Sequence, residues 1–563
     1  MTAFHQRTEA SAAQSPSEPY PIDPRTATRH LCAGAYLDET FRNEALREVY
    51  YQSKRLVAPS YGFDAVPVLA HCVRARNGAI IRDSAILLTV LIVLFVSPAA
   101  LVFTLAGMAS LQATIATYRL ARDCIRKLRD NEPMPIGALL ARVLLLVFGY
   151  TLATLAYLVA VALLAGNATN SFAEGDTSSA TSAITGASAA ALLLYLLFFG
   201  YSLGFSLWRQ SQLSAMMPGS QVTQPVHNQR LEEVARQQRG NTTVYSGFKS
   251  YVGSGDVWRT WGFAVRVVRA EDPSRRLDDV LGRGVTEQQR EFDQLPFTAQ
   301  ELVDFVRERL STLLPTRAAE EQIAGLTVED RVCLAGTEVS QLLPWTRPEV
   351  MAAVVRHPTS PARHYLACQV FAWGGQLIPT VYVHVAVQGR SLYLELTTTV
   401  LPPCDERYRV IDTVEGHSAI AWWRALGTGL ADAPRAIWRA PLNLASAVLN
   451  LIAGSSTRIG GETRLTRGYD YGAKVGVREL GSESDMRFLT QWQDVAKYRK
   501  LIERRVIASV LDYLDDRRVD TTEFRARAAS VLNISGGVFA RGETVTFSGP
   551  VAGGNQTNAG AES

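Results

Sequence analysis

Four cationic side chains crowd a short stretch near the middle of the chain. Arg356 and His357 precede a Thr-Ser-Pro turn, and Arg363 and His364 follow it. Guanidinium and imidazolium groups pair well with carboxylate or phosphate, so this quartet is a candidate anion-binding site, set against the simpler reading of a solvated turn. His384 follows in a strand-like run with no partner at metal-ligand spacing. Gly200-Tyr-Ser-Leu-Gly204 spells the G-x-S-x-G nucleophile pattern. That chemistry needs a sharp strand-to-helix turn to expose the serine, whereas Ser202 sits inside a long apolar run. The same residues spell G-x-x-x-G, so Gly200 and Gly204 are read as a helix-packing pair. A third group mixes aromatic rings with guanidinium groups: Trp422, Trp423, Arg424, Arg435, Trp438 and Arg439. Such a mixture suits a membrane headgroup layer; the competing reading is a helical hairpin covering a sheet.

Other chemistries lack their residues. The chain has no H-E-x-x-H, no phosphate loop and no dinucleotide fingerprint. Its six Cys are far apart with no C-x-x-C, which fits neither a disulfide framework nor a zinc site. No catalytic residue, metal or cofactor is therefore assigned. With 57 basic and 53 acidic residues, the charge balance gives no reason to expect nucleic acid as a partner.

The elements that position these groups are set by where the apolar residues fall. A mean hydropathy of +0.03 is an average over 563 residues of very different segments. Ser84–Tyr118, Val143–Ala173 and Thr177–Trp208 contain no Asp, Glu, Lys or Arg. About 20 apolar residues suffice to cross a bilayer, so 143–166 and 184–208 are read as transmembrane helices. Ser84–Tyr118 would make about 52 Å of helix and carries Pro98 near its middle. It is either a kinked single crossing or a re-entrant hairpin turning at Ser97-Pro98. Arginines in 119–142 and before Ser84 mark cytoplasmic flanks, and the loop 167–183 has no basic residue. The positive-inside rule then places both termini in the cytoplasm of a multi-pass plasma-membrane protein.

Around this membrane region (84–208) the chain divides further. Residues 1–25 are Ser/Pro-rich and expected to be disordered. In the cytoplasmic helical segment 26–83, Thr28–Arg55 reads as one amphipathic helix. A polar stretch at 209–240 reads as a linker. Residues 241–483 read as a cytoplasmic α+β domain with an antiparallel sheet, built on β-like runs at Tyr365–Trp373, Ile378–Val387 and Ser391–Val400. Thr298-Ala-Gln-Glu301 is a capping box that opens a helix, and 417–454 holds the Trp/Arg element. Helices follow at 484–533, then a Gly-rich tail at 534–563. The tail suits strand addition to a protein partner or stacking with copies of itself.

Only six of the 57 basic residues are Lys, a bias that suggests a GC-rich bacterial genome. The segments AYLDETFRNEALREVYYQSKRLVAPSYGFDAVPVL and YRKLIERRVIASVLDYLDDRRVDTTEFRARAASVLN resemble those of uncharacterised actinobacterial multi-span integral membrane proteins. The tail NISGGVFARGETVTFSGPVAGGNQTNAGAES is similar to Gly-rich ends that resemble bacterial amyloid-signalling motifs. These resemblances imply an origin and an architecture. The function expected is that of a membrane-anchored scaffold or signalling, effector-like protein acting through protein contacts. Its partners would be the lipid bilayer, further copies of the chain through the transmembrane helices, and a protein bound at 534–563. The alternative is a membrane-proximal enzyme acting on a lipid or other membrane-associated substrate.

Overall fold

The computed structural model describes residues 24–129, 136–173, 177–218, 228–271, 287–314, 322–339, 343–413, 419–456 and 469–534. The Gly-rich tail beyond Ile534 and most of the Ser/Pro-rich start lie outside the described residues.

Helix α1 (Pro24–Leu37) opens on Pro, which is tolerated in a first turn. Asp38 then takes an extended conformation, and its carboxylate accepts hydrogen bonds from Thr40 N (2.9 Å) and Phe41 N (3.1 Å), starting α2 (Glu39–Ala45). The expected single helix over Thr28–Arg55 is thus two helices and a π turn, Leu46–Tyr50. Helix α3 (Ala65–Val96) runs through Ser84 without a break, joining a charged half to an apolar half. It stops at Ser97 (φ −152°, ψ 79°), and α4 (Pro98–Arg129) starts at the next residue, because Pro98 has no N–H to continue the ladder. Helices α5 (Ile136–Ala173) and α6 (Thr177–Ser214) follow, each of 38 residues. Ala65–Val96, Pro98–Arg129, Leu139–Val159 and Ala189–Ser214 are long and apolar enough to cross a membrane. Their outward residues are large and apolar, including Leu145 at 73% and Phe148 at 66% exposure.

The stretch read as a linker contains α7 (Gln229–Gln237), which buries Leu231 and Val234. It leads into a six-stranded sheet of β1 (Thr242–Tyr245), β2 (Asp256–Arg266), β3 (Leu326–Ala335), β4 (Arg363–Val370), β5 (Ile378–Gln388) and β6 (Ser391–Leu401). The order is β1-β3-β4-β5-β6-β2. β1 pairs parallel with β3 and the other pairs are antiparallel, so the sheet is mixed rather than wholly antiparallel. Four residues are too few for β1 to show a periodicity in sequence. Helices α8 (Ala299–Ser311) and α9 (Pro348–Arg356) lie between strands, and the capping box at Thr298 and Glu301 forms as expected. After the sheet come α10 (Ala419–Ser456), α11 (Leu489–Asp516) and α12 (Thr522–Ile534).

One sheet face carries Leu366, Val383 and Leu394, packed with Val306 of α8, Val506 and Val510 of α11 and Phe524 of α12. The opposite face is aromatic. Tyr382 lies 4.4 Å, centroid to centroid, from Tyr251, and its hydroxyl meets Ser254 Oγ at 2.5 Å. A second core joins the two ends of the chain: Leu31, Phe41 and Leu69 pack with Cys404, Tyr408 and Val477.

Helix α10 does not cover the sheet. Ser206 Oγ of α6 donates to Ala425 O (3.0 Å), Asn443 Nδ2 donates to Asp83 Oδ2 of α3 (2.9 Å), and Arg76 donates to Ala447 O (3.1 Å). Of the two readings of 417–454, the hairpin over the sheet is therefore replaced by one helix laid across α3 and α6, with Pro434 and Pro441 inside it.

Candidate functional site

The four cations do not converge. Arg356 Nε turns back to Ala352 O of its own helix (3.2 Å), and exposed His357 caps that helix. Arg363 and His364 are adjacent on β4, so the pleat sends them to opposite faces: Arg363 is exposed and His364 is buried. His384 pairs in register with Glu395, and its Nδ1 donates to His364 O (2.8 Å). Burial pushes the His384 pKa down, since desolvation disfavours the charged ring.

Only His364 of this set lines a cleft. The cavity, about 700 Å³, opens between β3, β4, α8 and α9. Its floor is a hydrogen-bonded relay. Asp330 Oδ1 accepts from His364 Nε2 (2.8 Å) and from an Arg307 guanidinium nitrogen (2.8 Å). Burial alone would raise the Asp330 pKa, but the bonds from His364 and Arg307 outweigh it and hold the carboxyl below its usual range. The rim is held by Asn241, whose amide accepts from Thr346 N (2.7 Å) and donates to Thr346 O (3.1 Å). Trp345, Met351 and Arg239 complete the walls, with Trp345 55% exposed. Gln300 Oε1 and Arg307 Nε are buried there without a hydrogen-bond partner.

A carboxylate that fixes one imidazole nitrogen leaves the ring oriented to exchange a proton at the other. The lining also carries Glu329 and Thr346. Among the described residues, no group of three His, Cys, Asp or Glu is placed to hold a metal ion. Asp330 and Arg307 escape a reading of the sequence because their bonds span 34 and 23 residues, and Trp345 joins them only through the Asn241–Thr346 pair, 105 residues apart.

Ser202 lies within α6, buried and without a hydrogen-bond partner, away from any strand-to-helix turn. A Cβ added at Gly200 or Gly204 would meet nothing within 4 Å among the described residues. On α10, Trp422, Trp423 and Trp438 are 45%, 71% and 46% exposed, beside exposed Arg424, Arg435 and Arg439. Arg439 pairs with Glu39 of α2 at 3.4 Å.

The model of the AbeC-like domain matches residues 260–547. The chain belongs to the AbeC-like domain family. No curated protein and no solved structure matches it. The AbeC-like segment takes in β3 to β6, α8 to α12 and most of β2. The four apolar helices and β1 precede it, so the cleft sits partly on the domain (Arg307, Asp330, His364) and partly on the residues that lead into it (Arg239, Asn241).

Proposed function

We propose that this chain is a bacterial, multi-pass plasma-membrane protein whose AbeC-like domain serves as a membrane-anchored scaffold or signalling, effector-like module, acting through protein contacts in the cytoplasm. The observation that carries this reading is the core shared by the helices before the apolar spans and the segments after the sheet, Leu31, Phe41 and Leu69 with Cys404, Tyr408 and Val477. Such a joint holds the domain at one fixed pose against the helical region instead of on a flexible tether. A fixed pose suits presentation of a surface to a partner, and residues 534–563 are the segment proposed to engage it. Deleting 535–563 is expected to abolish cross-linking to that partner or to further copies while the chain still accumulates in membranes. Unchanged cross-linking overturns the role given to the tail, and recovery of the chain in the soluble fraction overturns the membrane placement.

A second reading is favoured by the Asp330–His364 relay: a membrane-proximal enzyme that moves a proton in the cleft. His364→Ala should then remove turnover of a membrane-associated substrate by about 100-fold or more with cross-linking intact. Loss of cross-linking with no turnover to lose would return the cleft to a structural role.

A further inference from the structure

Helices α3 and α6 do not close on each other where the charged half of α3 becomes apolar. A groove of about 830 Å³ remains between them. Arg74, Asn77 and Arg82 line its polar end, and Ile81, Ala85, Gly200 and Gly204 line its apolar end. The Trp208 indole closes on α3 between Arg74 and Arg82, so near that a Cβ at Gly78 would come within 2.6 Å of the ring. Towards the apolar end it meets outward residues of the candidate span, Ile81 at 72% and Leu88 at 60% exposure. Two arginines and no carboxylate are found among the lining residues. Arg82 is held in place by the buried Asp83 (2.7 Å) and by the face of Phe205 (4.6 Å). Arg74 extends beside Gln212 (3.4 Å) and is exposed.

We propose that this groove is a binding site for one anionic phospholipid. Its phosphate would sit at Arg74, Asn77 and Arg82, and one acyl chain would lie on the open backbone of Gly200 and Gly204. The proposal rests on the membrane placement argued above. The polarity of the groove matches that of the ligand end for end. A lipid chain needs no side chain to face, which is what the two glycines leave, while a headgroup phosphate is drawn to arginine at the membrane surface. A second copy of the chain could pack on the glycines but would leave two arginines facing an apolar helix surface, a costly burial.

The test places the full chain in nanodiscs of phosphatidylcholine with a minor share of phosphatidylglycerol. Lipid retained after detergent exchange is then measured by mass spectrometry. Phosphatidylglycerol should be enriched over its share in the bilayer, and Arg74→Gln should lower that enrichment roughly five-fold. Gly204→Leu, whose side chain would occupy the groove, should remove the retained lipid while the melting temperature stays within a few degrees. Equal retention in wild type and both variants overturns the site. So does a Gly204→Leu variant that loses only a cross-linked dimer, because the glycines would then face a second copy. Failure of the chain to enter nanodiscs overturns the membrane placement together with the site, whereas entry without enrichment overturns the lipid site alone.

Discussion

Arg478 shows how much a single side chain can organise here. It is wholly buried with no carboxylate partner among the described residues; its guanidinium donates to Tyr61 O (3.0 Å), Gly375 O (2.8 Å) and Gln376 O (2.7 Å). Those carbonyls belong to the loop before α3 and to the turn between β4 and β5, so one cation ties three segments together. Burial pushes its pKa down, yet a guanidinium stays charged across ordinary pH. Arg478→Met keeps the volume and removes the donors, stranding the carbonyls. A loss of roughly 3 kcal/mol is expected, measurable as a lowered melting temperature of the purified protein. His30 makes a comparable joint that responds to pH. Its Nε2 meets Asp412 Oδ2 at 2.7 Å, with Arg29 also on that carboxylate (3.6 Å) and Cys404 and Gln376 on the other side of the ring. Burial opposes the charged ring, but the bonds to Asp412 and Cys404 outweigh it and raise the His30 pKa above 6.5. In return, His30 and Arg29 hold the Asp412 carboxyl below 3.8 against its burial. A raised histidine stabilises the fold below its unfolded value and loses that contribution as pH rises through the folded value; a depressed carboxylate behaves in the opposite sense. The joint is therefore fully formed between about pH 3.8 and 6.5 and weakens on alkaline titration. Asp412→Asn should flatten the difference in melting temperature between pH 6 and pH 8. A variant that keeps the wild-type difference would assign that pH response to another group.

At the scale of elements, what was legible follows sequence distance. The capping box at Thr298 and Glu301 and the runs Ile378–Gln388 and Ser391–Leu401 are each decided by neighbours within a few residues, and each appears within a residue or two of its expected bounds. The break at Asp38 was also local: a carboxylate that can accept from two following amides stops one helix and starts another, and it overrides the continuous apolar stripe around it. The four cations stay apart for an equally simple reason, the alternation that parts Arg363 from His364. By contrast, Asp330 finds His364 across 34 residues and His30 finds Asp412 across 382, separations that no local pattern encodes. The placement of α10 is of that second kind. Its Trp/Arg composition fits either a headgroup layer or a sheet cover, and only its contacts with α3 and α6 separate them. Ser206 Oγ and Thr428 Oγ1 lie 3.1 Å apart, close enough that Ser206→Cys with Thr428→Cys should form a disulfide under mild oxidant. Absence of that cross-link, read by a mobility shift on non-reducing gels, would detach α10 from the apolar helices.

For the whole molecule, the consequence lies in which parts can fold alone. The α+β domain looks self-sufficient along the chain, with a sheet, the covering helices α8, α9, α11 and α12 and its own apolar core. Yet Cys404, Tyr408, Ile411 and Val477 lie outside that core, in a second cluster with residues of α1, α2, α3, α6 and α7. The fit is close: a Cβ at Gly34 would stand 2.8 Å from the Tyr408 ring. The polar groups of the seam are shared as well, since Tyr471 O accepts from Leu56 N (3.0 Å) and Gly472 O from the Arg55 guanidinium (3.2 Å). Residues 241–534 produced alone would therefore uncover a contiguous apolar patch and leave these carbonyls without their partners. That fragment should elute from size exclusion as aggregate, and supplying residues 1–240 as a separate chain should recover a one-to-one complex. Gly34→Leu in the full chain tests the same seam without a truncation. Its side chain would displace the Tyr408 ring, at a cost of about 1–3 kcal/mol if the ring yields, and protease sensitivity should rise at the start of α1 and near residue 408 together. A monodisperse, cooperatively melting 241–534 fragment would show the opposite, that the domain folds by itself and the helices before the membrane region are an appendage to it.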